Sequence, residues 1–263
     1  MPKIGAIIEA RMASKRLPGK VLTELLPGWP MIDVIVHRAQ SAKCLSNVIV
    51  ATTVNSADDS LFKHCKNNKV SVFRGSETDV MGRSLAAAKE FHFDWLVRLT
   101  GDNPLIEGQL IDDLVAFCIE NSLDYAATTM MGHSDNWKAE REFPRGISVE
   151  IVRVKVLEAV AKETRGSPLR EFTTFAVYDE PERWSIGAFP ATGRYAEWKH
   201  PHLRFTVDTT EDLELVRHLF GNLSPNNPNN LETGEAIKLV AATPTLAAIN
   251  ASVSHNVVSK LKN

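Results

Sequence analysis

KIGAIIE, residues 3–9, runs straight into ARMASKRLPGK, residues 10–20, and the join between them decides the fold. The first stretch sets Ile4, Ile7 and Ile8 around Ala6, a short apolar run of the kind that forms a buried strand. The second is polar and carries four cations, Arg11, Lys15, Arg16 and Lys20, with Ser14, Pro18 and Gly19 among them. Open α/β sheets bind ligands outside the carboxyl ends of their strands, where a loop of this kind would lie.

Outward from that turn the pattern alternates. Ile32, Ile35, Val36 and Ala39 recur at helical spacing and predict a helix over 31–43. NVIVATT at 47–53 reads as a buried strand, 57–68 as a helix with Ser56 as its N-cap, and VSVF at 70–73 as a third strand. A helix over 79–91, a strand over 93–100, a helix over 107–121 and a strand over 124–129 continue the series. Beyond 130 the rhythm weakens. The stretch 132–145 is polar, ISVEIV at 147–152 is a strand leading into a helix over 153–164, and strands are expected near 184–190 and 203–207. A helix from Thr210 to Phe220, a turn at 224–230 and a helical tail over 231–263 complete the chain. This order predicts an α/β fold: a mostly parallel, doubly wound sheet with a smaller irregular α+β lobe near 130–200. Residues 1–223 form the main domain in this reading and 224–263 a C-terminal helical extension.

At 263 residues the chain is long enough for such a domain with an accessory lobe. Hydrophobic residues at 44% and charged ones at 24% match a soluble globular protein. A formal charge of −2 gives no global field toward nucleic acid or an anionic membrane, so an anionic ligand must be held by a local cluster. Cys44, Cys65 and Cys118 have no CxxC spacing and cannot all pair within one chain, which fits reduced thiols. Charges at Lys3 and Glu9 argue against a signal peptide, and no apolar run reaches membrane-spanning length. A cytoplasmic location is expected, with neither nucleic acid nor membrane as partner.

In a parallel sheet the loops after Glu9, Thr53, Phe73 and Thr100 share one rim. The basic loop there suits a triphosphate, since Arg grips phosphate bidentately and Lys as a point charge; a solvated basic turn has the same composition. Neither GxxxxGK[ST] nor GxGxxG is present. Asp102, in RLTGDNPLI at 98–106, is either a turn residue bonding nearby amides or a ligand for Mg²⁺. Asp208 closes the strand in RFTVDTTEDLELVR, 204–217, while Glu211 and Asp212 fall in the first turn of the next helix as cap and dipole residues. Glu150 lies between Val149 and Ile151, so it needs a partner such as Arg or a metal, or else an exposed edge.

The pattern ARMxSxRLPGKVL after a strand resembles the signature of the cytidylyltransferases that activate acidic sugars, among them those acting on 3-deoxy-manno-octulosonate and sialic-type acids. It is most similar to the spore coat polysaccharide biosynthesis protein F family, and the similarity runs through most of the chain. The resemblance implies a sheet of nucleotide-diphospho-sugar transferase type. It implies transfer of CMP from CTP to an acidic sugar or phosphonate, with release of pyrophosphate, and a homodimer. GDxP and VDTxED imply that Asp102 and Asp208 bind Mg²⁺ as cofactor.

Lys20, Arg11 and Arg16 are then the catalytic cations. Ala10, Ser14, Gly19, Thr52, Thr53, Arg74, Ser76 and Arg83 join them as nucleotide-binding candidates, by hydrogen bonds or backbone approach. Arg145, Glu150, Arg170, Glu171 and Arg204 are the candidates for a small anionic acceptor; each Arg equally suits a surface salt bridge. His200 and His202 have no third ligand nearby, and no zinc is assigned. The homodimer has a second motive in Phe143, Phe172, Phe175, Trp184 and Phe189, more apolar bulk than an irregular lobe needs. Glu9 departs from the resembling sequences, which commonly have Gln or Pro there, and adds negative charge beside the phosphate loop. A nucleotide-sugar-dependent glycosyltransferase is the first alternative, but it usually carries a DxD motif where this chain has GDN. A non-catalytic nucleotide-binding protein is the second; loss of Lys20, Asp102 or Asp208 would have supported it, and all three are present.

Overall fold

The computed structural model describes residues 2–129 and 141–254. The expected loop at 132–145 and the end of the helical tail therefore lie partly outside the described residues. Strand β1, Ile4–Glu9, sits near the middle of a seven-stranded sheet. Helix α1 (Met31–Gln40), β2 and β3 (Glu24–Leu26 and Trp29–Pro30, a small hairpin just before α1), β4 (Asn47–Thr53), α2 (Asp59–Asn67) and β5 (Ser71–Gly75) form the first half. The second half contains α3 (Val80–Glu90), β6 (Trp95–Thr100), α4 (Gly108–Glu120), β7 (Tyr125–Ala127), β8 (Glu150–Arg153), α5 (Val154–Glu163), α6 (Phe175–Tyr178) and β9 (Ile186–Ala188). Helices α7 (Thr210–Leu223), α8 (Thr233–Ala242) and α9 (Pro244–Ala248) follow.

The strand order is β5-β4-β1-β6-β8-β7-β9. Strands β1, β4, β5 and β6 run parallel, and β8 lies antiparallel to both β6 and β7. The chain winds outward from β1 through β4 to β5, then returns to place β6 on the other side of β1. The crevice at the carboxyl ends of β1 and β6 is thus a topological switch point. Alternation along β1 sends Ile4, Ala6 and Ile8 into one core and Ile7 into the other. The first core packs the sheet against α1, α4, α7 and α8; the second packs it against α3, α5 and α6.

Several sequence expectations shift. The 3-10 turn ahead of α2 is capped by Asn55, whose side chain accepts from the Ala57 amide, in place of Ser56. The strand expected at 147–152 begins only at Glu150. The one expected at 203–207 forms no ladder beyond a bridge between Arg145 and Arg204. Leu203, Phe205 and Val207 are buried, which produces the period-two signal, but the backbone bonds loops instead of strands: Phe205 to the Arg145 carbonyl and Val207 to that of Asp102. The hairpin β2–β3 is too short to show a period and was not anticipated.

The C-terminal extension shares the main core through Leu231, Ala236, Ile237 and Val240. Arg38 of α1, 2% exposed, ties it down by donating to the carbonyls of Pro228 (2.6 Å) and Leu231 (2.8 Å). The aromatic bulk behind the homodimer expectation is largely consumed inside the chain. Phe143 packs with Phe189, Tyr195 and Trp198, and Phe175 with Phe172 and Tyr178. No helix among the described residues is long and apolar enough to cross a membrane.

Candidate active site

A cleft of about 810 Å³ opens at the switch point. Its first wall is the loop after β1. Ala10 extends the β1–β4 ladder by one bond to the Ala51 carbonyl (3.2 Å), and the chain then folds back so that the Ser14 and Gly19 amides both donate to the Met12 carbonyl (2.9 and 3.0 Å). Gly19 has φ +74°, a left-handed conformation that side chains other than glycine adopt at a cost. That reversal delivers Lys20 into the cleft as the first residue of a 3-10 turn, Lys20–Leu22. Gly101, after β6, fits against Ala10 so closely that a Cβ would lie 2.9 Å from the alanine methyl. The loops of β1 and β6 can touch only because this residue is glycine.

Three distant segments meet on the Lys20 ammonium. It donates to Asp102 Oδ2 (3.0 Å), to Asp208 Oδ1 (2.8 Å) and to the Val207 carbonyl (2.8 Å). Asp102 is oriented by the Thr100 hydroxyl (2.6 Å). Arg16 and Arg204 each place a nitrogen 2.8 Å from Asp208 Oδ2. Burial alone would lower the Lys20 pKa, but Asp102 and Asp208 outweigh it and hold the ammonium above its ordinary value. Burial would raise Asp208, yet Lys20, Arg16 and Arg204 keep its carboxyl below the usual range. Two carboxylates share one cation here, the Lys20 ammonium. Two carboxylates completed by phosphate oxygens and water are a set that Mg²⁺ accepts.

Ala10, Arg11, Ser14, Arg16 and Arg83 also line the cleft. Arg11 is half exposed, 3.7 Å from Glu77. Arg83, 4% exposed, donates to the Ser76 carbonyl at 2.5 Å, while its Nε is buried without a hydrogen-bond partner. The opposite wall comes from Pro168, Glu171 and Phe172.

The remaining candidates, Glu171 apart, do not line the cleft. Gly19 acts through backbone shape. Thr52 and Thr53 are fully buried in β4, and the Thr53 hydroxyl donates to Asp58. Arg74 is consumed by the carbonyls of Thr53 (2.7 Å) and Asn55 (2.8 Å) and by Asp59 (2.7 Å). Ser76 accepts from the Asp79 amide (3.0 Å) at the start of α3. Among the acceptor candidates, Arg170 clamps Asp79 with two nitrogens (2.9 and 2.6 Å), and Arg145 is a backbone neighbour of Leu203 and Phe205. Arg204 grips Asp208 and Asp212, and only Glu171 faces the cleft.

Glu150 is neither at an edge nor at the cleft. Strand β8 lies between β6 and β7, and Glu150 accepts from Arg98 Nη1 (2.5 Å), Tyr125 (3.0 Å) and the Thr174 hydroxyl. Arg98 also reaches Glu9 with Nε (3.0 Å) and Nη2 (2.9 Å). Glu9 lines the cleft floor with its charge already matched, and it accepts further from Ser84 and Thr173. Sequence reasoning noted Glu9 but missed Arg98. The signal was available, since a charge within a buried strand requires a partner and both residues sit in apolar strands.

A basic turn and paired carboxylates at the switch point of a doubly wound sheet define a nucleotidyltransferase cleft. The chain belongs to the cytidylyltransferase family, whose model, described as Cytidylyltransferase, matches residues 5–145. It is 32% identical to an uncharacterized protein of Methanocaldococcus jannaschii, over 95% of this chain and 96% of that one. It is 30% identical to the spore coat polysaccharide biosynthesis protein SpsF of Bacillus subtilis, over 92% of this chain and 95% of the relative. Among solved structures, a cytidylyltransferase from Leptospira borgpetersenii superposes with a TM-score of 0.83 at 29% identity, covering 97% of this chain and all of the other.

Proposed function

We propose that this enzyme transfers CMP from CTP to an acidic sugar or phosphonate and releases pyrophosphate. The observation that carries the reading is the convergence of Asp102 and Asp208 on Lys20 within a basic cleft. The acceptor oxygen attacks the α-phosphorus, and pyrophosphate leaves in line. Arg11, Arg16 and Lys20 neutralise the phosphates and the charge that builds on the leaving group. Asp102 and Asp208 would hold Mg²⁺, which supplies polarisation of the phosphate oxygens when bound. Arg204 and Arg16 keep Asp208 turned into the cleft, and Thr100 does the same for Asp102. The protein's contribution is position and charge; the proposal requires no covalent nucleophile.

CTP as donor is supported by the family. A carbohydrate acceptor is supported by the name of the Bacillus relative, a polysaccharide biosynthesis protein. Because Arg170 and Arg204 are engaged elsewhere, the acceptor's anionic group would meet the loop cations or Arg83. A homodimer in solution and a cytoplasmic location complete the proposal. The test is pyrophosphate release from each nucleoside triphosphate against nonulosonic, 3-deoxy-octulosonate-like and aminoalkyl phosphonate acceptors. Release restricted to CTP and one acceptor class supports the reading. Turnover of a nucleotide sugar without pyrophosphate would replace it with glycosyl transfer.

A further inference from the structure

Asp208 follows an extended segment that pairs with no strand, so its aim depends on what grips the carboxylate. Its Oδ2 is held by two cations, Arg204 and Arg16, each at 2.8 Å. Both are bonded in turn to the segment after α9. Asn250, 4% exposed, donates from Nδ2 to the Arg204 carbonyl (3.0 Å) and to Asp212 Oδ1 (2.9 Å). Asp212 Oδ1 also takes Arg204 Nε (2.7 Å), and Asp212 Oδ2 takes Arg204 Nη2 (3.0 Å). Asp212 Oδ2 further accepts the amides of Asp208 (2.9 Å) and Thr209 (3.1 Å). Arg16 Nη1 reaches the Ser254 carbonyl at 3.3 Å.

We propose that Asn250 is a positioning residue for Asp208, and that the C-terminal segment 250–254 thereby forms part of the frame of the cation site. The inference rests on the metal role proposed above for Asp208. A primary amide supplies two N–H donors and no charge. It binds a main-chain carbonyl and a carboxylate at once, which fixes the Arg204–Asp212 pair at both its backbone and its side chain. Held in this way, Arg204 Nη2 donates to Asp212 Oδ2 (3.0 Å) and also reaches Asp208 Oδ2 (2.8 Å). A carboxylate at position 250 would face Asp212 and repel it, and a methyl would leave a buried carbonyl short of a donor. Asp212, expected from the sequence as a helix cap, does cap α7, but the same carboxylate is the hub of this relay. Partners of a metal ligand matter because they orient it.

The experiment compares wild type with Asn250→Ala and Asn250→Ser in the full chain. Mn²⁺ binding is read by electron paramagnetic resonance in the presence of CTP, and CTP binding by calorimetry in chelator. The expected result is a loss of Mn²⁺ affinity of about tenfold in the variants, with CTP affinity in chelator unchanged. Ser keeps one donor and serves as the second variant should Ala fail to fold, but it cannot span both acceptors. Unchanged Mn²⁺ affinity in a folded variant would overturn the role of Asn250 while leaving the metal reading intact. An equal loss of Mn²⁺ and chelator-insensitive CTP binding would also overturn it, since that marks general loosening. A wild-type enzyme that binds no Mn²⁺ would overturn the metal reading and this inference together.

Discussion

Lys20 Nζ and Asp208 Oδ1 lie 2.8 Å apart, although 188 positions separate them in the sequence. The same ammonium lies 3.0 Å from Asp102, so one buried cation bridges two carboxylates from two other loops. Lys20→Met therefore removes the cation that bridges the two carboxylates and, on the proposed mechanism, a charge that stabilises the departing pyrophosphate. Pyrophosphate release is expected to fall by about 10²- to 10³-fold, as for loss of one transition-state donor. The variant keeps the fold but melts earlier than wild type, and Mg²⁺ raises its melting temperature more than it raises that of wild type. Equal thermal responses to Mg²⁺ in the two proteins would contradict the shared-cation arrangement.

Glu9 gives a pH prediction. Burial raises its pKa, but Arg98 and the Thr173 and Ser84 hydroxyls pull harder, and the net shift is downward. With the folded pKa below the unfolded one, the stabilisation is complete above the unfolded value of about 4.3. It is lost as pH falls through the folded pKa, because the unfolded chain then binds the proton more readily. Glu9→Gln should be less stable than wild type at neutral pH and lose less on acidification. Parallel stability curves for the two proteins from neutral pH to acid would refute the assignment.

Arg74 and Arg83 separate frame from site. Both were expected to bind nucleotide, but Arg74 is saturated by Thr53, Asn55 and Asp59, whereas Arg83 lines the cleft with a buried, unpartnered Nε. Arg74→Ala should leave the KM for CTP unchanged and cost about 1–3 kcal/mol of stability, from loss of bonds to a charged group. Arg83→Ala should raise that KM by about tenfold, equivalent to 1.4 kcal/mol. Steady-state kinetics with denaturant titration distinguishes the two; a larger KM effect at Arg74 would reverse the assignment.

The contrast between these residues shows what the sequence made legible. The strand–turn junction at 9–10 and the alternating periods located the sheet, and the end of β6 put Asp102 on the rim where Lys20 arrives, whereas Asp208 reaches it from a segment that forms no ladder. The sheet and the place of Asp102 are consequences of local pattern and topology. Direction of side chains within a loop is not: Arg170 and Arg204 carry the right chemistry for an anion, but Asp79 and Asp212 claim them. Such partners come from segments as distant as Asp79 from Arg170, and no period records that pairing. The extension over 224–263 reads in the sequence only as helical; its contacts with Arg38, and those of Asn250 with Arg204 and Asp212, join distant segments that no period records.

The cysteines should be inert in the native enzyme. Burial pushes the Cys65 and Cys118 thiols up to about 12, and burial with Asp112 raises Cys44 further. The thiolate is the reactive form, so alkylation by iodoacetamide at neutral pH should be slow until the chain is unfolded. Rapid labelling of Cys65 or Cys118 in the folded protein would contradict their placement.

The most direct test of the account is pyrophosphate release from CTP and Mg²⁺, measured across acidic sugar and phosphonate acceptors in wild type, Asp102→Asn and Asp208→Asn. The account predicts release by wild type that stops in excess chelator, and loss of release in both variants while CTP binding survives, because the carboxylates act on charge that develops in the transition state. Full release in excess chelator, or wild-type rates in either variant, would contradict it.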